Sequence, residues 1–138
     1  MSEQRDWESS SYVIDSDVLI DHLRGYRDAL DFIDSLILDG AEVCFSVISE
    51  AEIYSNVRLG EEASILALFG ALARLNVNGV IARKAGEYRA LYRRSHGMAL
   101  PDALIAATAF VHQSTLITRN VRHYPMPDIR VVMPFEIK

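Results

Sequence analysis

Apolar residues follow two rhythms along this chain. Tyr12-Val13-Ile14 is a short continuous run closed by Asp15, and the stretch from Asp15 to Leu23 then turns amphipathic. The run predicts a buried strand over 12–15 that delivers a carboxylate to the start of a helix. After a break at Gly25, Ala29, Leu30, Phe32, Ile33, Leu36 and Ile37 recur at helical spacing as far as Asp39-Gly40. Val43-Cys44-Phe45 predicts a second buried strand. Ser49 fits an N-cap, and the helix behind it carries Ile53 and Val57 toward Leu59-Gly60. Glu61 to Leu75 reads as one further helix burying Ile65, Leu66, Leu68, Phe69 and Leu72, with Val77 in a short third strand.

Ile81, Ala85, Tyr88, Leu91 and Tyr92 trace the next amphipathic helix, closed by Arg93-Arg94 and Ser95-His96-Gly97. Pro101 suits the first turn of a following helix, where its missing N–H costs nothing. From Ala103 to Val111 that helix is almost wholly apolar, so it is expected to be buried on most sides. Thr115 to Thr118 reads as a strand, Arg119 to Pro127 as a loop, and Ile129 to Val132 as a last strand. Strands alternating with helices predict an α/β fold with a central parallel sheet covered on both faces. Without repeats or Pro/Gly-rich linkers, residues 11–138 read as a single domain. Residues 1–10, polar and acidic, read as a flexible N-terminal arm.

Half of the 138 residues are hydrophobic, enough for a sizeable core. No apolar run approaches the ~18 residues of a membrane span, and the polar, acidic residues 1–10 are not expected to act as a secretory signal. One cysteine, Cys44, excludes a disulfide framework and a Cys-based zinc site. A cytoplasmic location is expected. The net charge of −5 argues against broad, nonspecific nucleic-acid binding. Twelve of the fourteen basic residues are nevertheless Arg, suited to bidentate contacts with phosphate or carboxylate.

Three acids hold the candidate chemistry: Asp15, Glu52 behind the second strand, and Asp102 at the head of the helix begun by Pro101. Each has a plain structural reading. Asp15 is a good N-cap, Ser49-Glu50-Ala51-Glu52 spells a capping box, and Asp102 favours a helix dipole. In a parallel sheet, however, strand-to-helix junctions share one edge, where ligands bind. Carboxylates about 4 Å apart repel by roughly 1 kcal/mol in water and more in a dehydrated cleft. A hard dication relieves that repulsion, and oxygen ligands suit magnesium or manganese. Such an ion serves phosphodiester hydrolysis. Thr118 and Asn120, at a fourth strand end, can orient a carboxylate or ligand waters; the plain reading of Asn120 is a turn.

The stretches from Val13 to Asp21, Phe45 to Ile53, Leu100 to Ala109 and Leu116 to Asn120, with Pro134, resemble the PIN-domain nucleases, and among them the VapC-type toxins of toxin–antitoxin modules. The resemblance implies a three-layer α/β/α fold, a metal-dependent endoribonuclease using Mg2+ or Mn2+, an RNA substrate, a cognate antitoxin and a homodimer. It places the family's acids on Asp15, Glu52 and Asp102, which would hold metal or position water. Its fourth position, often acidic, falls on Asn120, for which Asp17 can compensate. His123 is not assigned a catalytic role. Arg93, Arg94, Arg119 and Arg122 are candidate RNA phosphate contacts, though Arg93-Arg94 equally suits a helix C-terminus. His22, His96 and His112 lack metal-ligand spacing, and Tyr54, Tyr88 and Tyr92 read as core or dimer surface. Two rival readings stand beside this one. One is a PIN-like protein-binding module with weak catalysis. The other is a haloacid-dehalogenase-like phosphatase built on Asp15 and Asp17, which lacks a suitably placed Lys and a later acidic pair.

Overall fold

In a computed structural model, residues 11–134 are described; the arm expected over 1–10 lies outside them. Strands β1 (Ser11–Ile14), β2 (Glu42–Ser46), β3 (Ala73–Leu75), β4 (Thr115–Ile117) and β5 (Val131–Val132) form one sheet in the order β3-β2-β1-β4-β5. Every pairing is parallel. Helices α1 (Ser16–Leu23) and α2 (Arg27–Leu38) connect β1 to β2, and α3 (Val47–Tyr54) and α4 (Glu62–Ala71) connect β2 to β3. Between β3 and β4 lie α5 (Gly79–His96) and α6 (Leu100–Val111).

Two hydrophobic clusters explain the layering. Val13, Cys44 and Leu116 pack with Ile81, Ala85, Tyr88 and the Ala-rich face of α6. Their strand neighbours Ile14, Phe45 and Ile117 point the other way, onto Val18, Leu19, Ile33, Ile65 and Phe69. Successive strand residues alternate faces, so a parallel sheet buried on both sides needs continuous apolar runs. The result is the three-layer α/β/α architecture.

Several local expectations need correction. Ser46, not Ser49, caps α3: its Oγ accepts from Ile48 N at 3.0 Å. The helix therefore starts straight off β2, Ser49 is buried within it, and the predicted capping box does not form. The helix expected over 61–75 ends at Ala71. Residues 73–75 instead pair with Cys44, Phe45 and Ser46 at the sheet edge, so the third strand lies before Val77. Backbone pairing with β2 overrides an apolar pattern that continues without a break. The last strand shrinks to Val131–Val132, and the 119–127 loop contains a 3-10 turn, Val121–His123.

Candidate active site

The strand order reverses between β1 and β4, the kind of position where α/β sheets open a crevice at their carboxyl edge. Asp15 stands at that point. Its amide donates to Ile117 O at 2.8 Å, and one side-chain oxygen caps α1 by accepting from Ser16 N at 2.7 Å. The other oxygen accepts from Thr118 Oγ1 at 2.8 Å and Tyr124 OH at 3.0 Å. Capping and participation in the cluster thus coexist in one carboxylate.

Tyr124 OH also lies 3.4 Å from Asp102 Oδ1. Asp102 occupies the first turn of α6, beside Pro101. That helix follows α5 rather than a strand, so the expectation of three strand-to-helix junctions is corrected: Asp102 reaches the same edge from the head of a helix leading into β4. Glu52, in the second turn of α3, accepts from Ser16 Oγ at 2.5 Å, and that hydroxyl also lies 2.8 Å from Ser49 Oγ. Asp15 and Glu52 are thereby linked through the amide and the hydroxyl of Ser16.

Asp17 joins the group from α1. Its Oδ2 accepts from Arg119 N at 3.0 Å and Asn120 Nδ2 at 3.2 Å, and lies 3.4 Å from Thr118 Oγ1, whose proton goes to Asp15. Its Oδ1 is buried without a hydrogen-bond partner among the described residues. Arg119 is held by Asp21, with Nε 2.7 Å from Oδ2, so its guanidinium is engaged in an ion pair. Arg93, Arg94, Arg122 and His123 are exposed; Arg93 and Arg94 form part of the last turn of α5, just before α6.

Electrostatics follow from this crowding. Burial raises the Asp15 carboxyl above its ordinary value, with the Asp102 charge adding to it, while the Thr118, Ser16 and Tyr124 donors pull it back. Asp102 is raised by burial and then by Glu52. Asp17 is pushed up to about 6 by burial and by Asp15. Burial and the flanking Asp15 and Asp102 push the Tyr124 phenol up as well, so it stays a hydrogen-bond donor.

An oxygen-only donor set suits a hard dication, and Asp17 Oδ1 is a buried carboxylate oxygen without a hydrogen-bond partner among the described residues. Among the same residues, no three His, Cys, Asp or Glu side chains close on one point as ligands. Magnesium typically takes one or two carboxylates and keeps several waters, so these acids fit such an ion without enclosing it.

Tyr124, Ser16 and Asp21 are the contributors that sequence reasoning misses. Asp21 stands one helical turn from Asp17, a spacing that places both acids on one face. Ser16 directly follows Asp15. Nothing local marks Tyr124, an aromatic residue in a loop.

The PIN domain family matches residues 12–128. The chain is 44% identical over 115 residues to Ribonuclease VapC10 of Mycobacterium tuberculosis, covering 83% of this chain and 86% of that one. It is 41% identical over 120 residues to Ribonuclease VapC19 of the same organism, covering 86% and 96%. A solved toxin–antitoxin complex from Klebsiella pneumoniae superposes with a TM-score of 0.71 at 28% identity, over 92% of this chain and 100% of that one. Nothing among these relatives supports the phosphatase reading of Asp15 and Asp17. The shared sheet, the match across nearly all the described residues and these relatives lead to one assignment: the chain belongs to the PIN-domain family, on its VapC-type branch.

Proposed function

We propose that this protein is a Mg2+- or Mn2+-dependent endoribonuclease, the toxin of a toxin–antitoxin pair, with Asp15, Glu52 and Asp102 as its catalytic and metal-holding acids. The observation that carries this reading is the gathering of separate acids around Ser16, Thr118 and Tyr124 at one sheet edge. The names of the VapC relatives support RNA as substrate. A dication bound there would lower the pKa of a water and stabilise the leaving oxygen.

The chain's own groups perform the rest. Asp15 is fixed by Ser16, Thr118 and Tyr124, and Glu52 by Ser16, so both present lone pairs with little reorganisation. Asp102, half-buried beside them, is suited to orient water or accept its proton. Asp17 supplies the negative charge that Asn120 lacks, while Asn120 donates its amide to Asp17. Arg93, Arg94 and Arg122 are proposed to meet RNA phosphates. Arg119 is assigned instead to holding Asp17 and Asp21 in place, through its amide and guanidinium.

An antitoxin protein is the proposed partner, supported by the toxin–antitoxin complex of similar fold. Exposed Leu38, Leu59, Leu66 and Leu91 leave apolar surface for protein contacts, including a homodimer. No helix among the described residues is long and apolar enough to cross a membrane, and the cytoplasm is the proposed site of action.

Asp15→Ala and Asp102→Ala are expected to abolish Mg2+-dependent cleavage of RNA while circular dichroism stays unchanged. Cleavage persisting in both variants would remove the site assignment. A wild-type protein with no calorimetric magnesium signal and no cleavage would favour the catalytically weak binding module.

A further inference from the structure

Among the described residues, Tyr124 carries the one hydroxyl in contact with two of the proposed ligand acids, Asp15 and Asp102. It is buried and belongs to the core cluster with Met126, Tyr88 and the inner face of α6. Its loop is held at both ends. Tyr124 N donates to Val121 O at the 3-10 turn. Farther on, Asp128 accepts from Tyr88 OH at 2.7 Å and pairs with Lys84 Nζ at 3.0 Å. The phenol is thus delivered to the acids by a segment anchored on α5.

A phenol has one proton, so it donates to one carboxylate at a time. The 3.0 Å contact to Asp15 is the better bond, with Asp102 the alternative acceptor at 3.4 Å. Standing between the two carboxylates, the hydroxyl bonds Asp15 and keeps Asp102 within reach as its second acceptor. Asp15 Oδ2 is then occupied by Thr118 and Tyr124, whereas Oδ1 accepts from Ser16 N. A carboxylate oxygen has two lone pairs, so Oδ1 retains one for another ligand.

We propose that Tyr124 is a positioning residue, whose hydroxyl sets the spacing and rotation of Asp15 and Asp102 and so tunes the site's affinity for a divalent cation. This rests on the metal-dependent reading given above. Partners that orient ligands in this way typically contribute about 10–100-fold in metal affinity or activity.

The test is Mn2+ titration of the full chain, following free Mn2+ by electron paramagnetic resonance, for wild type, Tyr124→Phe, Tyr88→Phe and Asp102→Asn. Tyr124→Phe keeps the ring and is expected to weaken Mn2+ binding by about tenfold or more. Its RNA cleavage should fall at limiting Mg2+ and recover as Mg2+ is raised. Tyr88→Phe removes the phenol bond to Asp128 but leaves the Lys84–Asp128 ion pair to hold the loop, and should weaken Mn2+ binding far less than Tyr124→Phe does. Affinity in Tyr124→Phe within about twofold of wild type, with binding abolished in Asp102→Asn, overturns this inference alone, being far below the effect of an orienting partner. A wild-type chain that takes up no Mn2+ overturns the metal reading with it. A second readout needs no Tyr124 variant to fold. In wild-type protein labelled with 13C at tyrosine Cζ, one of six resonances should move with Mg2+, and stay still in Asp15→Asn. Six unresponsive resonances would also overturn the proposal.

Discussion

At Asp17 the fold keeps a carboxylate where burial and the nearby Asp15 both favour its neutral form. The folded state therefore holds this proton more tightly than the unfolded chain does. As pH rises from the ordinary value of 3.8 toward about 6, the folded state becomes less stable, and above that the penalty is fully present. Asp17→Asn keeps an acceptor for Arg119 N and places an amide where Oδ1 lacks a partner. In metal-free buffer it should raise the melting temperature by about 3–5 °C at pH ~7.5, on the scale of roughly 1 kcal/mol. At about pH 4, near the ordinary carboxyl value, the gain should largely vanish. A thermal shift equal at both pH values would show that the stabilisation is not electrostatic. Asp15, Asp17 and Asp102 are legible in the sequence because acids beside apolar runs stand out. Tyr124 is not, because Asp15 lies 109 positions away in the chain, and the spacing of Asp21 from Asp17 marks a shared helix face but not its partner Arg119, 98 positions on.

At the scale of elements, caps fix how the acids enter the site. Ser46 ends β2 and begins α3 with no intervening loop, which sets the rotation of Glu52 toward Ser16. Ser46→Ala should cost about 1 kcal/mol, as removal of an N-cap does, measured by urea unfolding. Ser49→Ala should not cost a cap, although it removes the contact with Ser16; an equal helix-start penalty there would contradict the observed boundary. Gly97 closes α5 at φ 60°, a left-handed position that glycine takes without strain, and so turns the chain into α6 and Asp102. The buried strands and the long helices are readable from periodicity. The boundary at 71–75 is not, since Leu72 and Leu75 extend a helical pattern whose backbone is claimed by the edge of β2.

For the whole molecule, a net charge of −5 is combined with an acidic crevice, although the proposed substrate is itself an anion. Local cations must then supply the attraction. Arg93 and Arg94, exposed at the end of α5, are close in sequence to the start of α6. The double change Arg93→Ala with Arg94→Ala should raise KM for RNA more than it lowers kcat. It should also flatten the salt dependence of binding, by about 0.7 in log–log slope for each phosphate the pair engages. An unchanged slope would assign the pair to balancing the α5 dipole. The layered α/β class, the order of the main helices and strands, and the candidate acids all follow from the sequence. Apolar spacing reports burial, and a strand followed by an amphipathic stretch marks a junction. Packing alone determines that α6 carries Asp102 to the β1–β4 opening, that Arg119 is taken by Asp21, and that one phenol stands between two acids. These are distances across the sheet edge, set by segments far apart in the chain, and no local pattern encodes them.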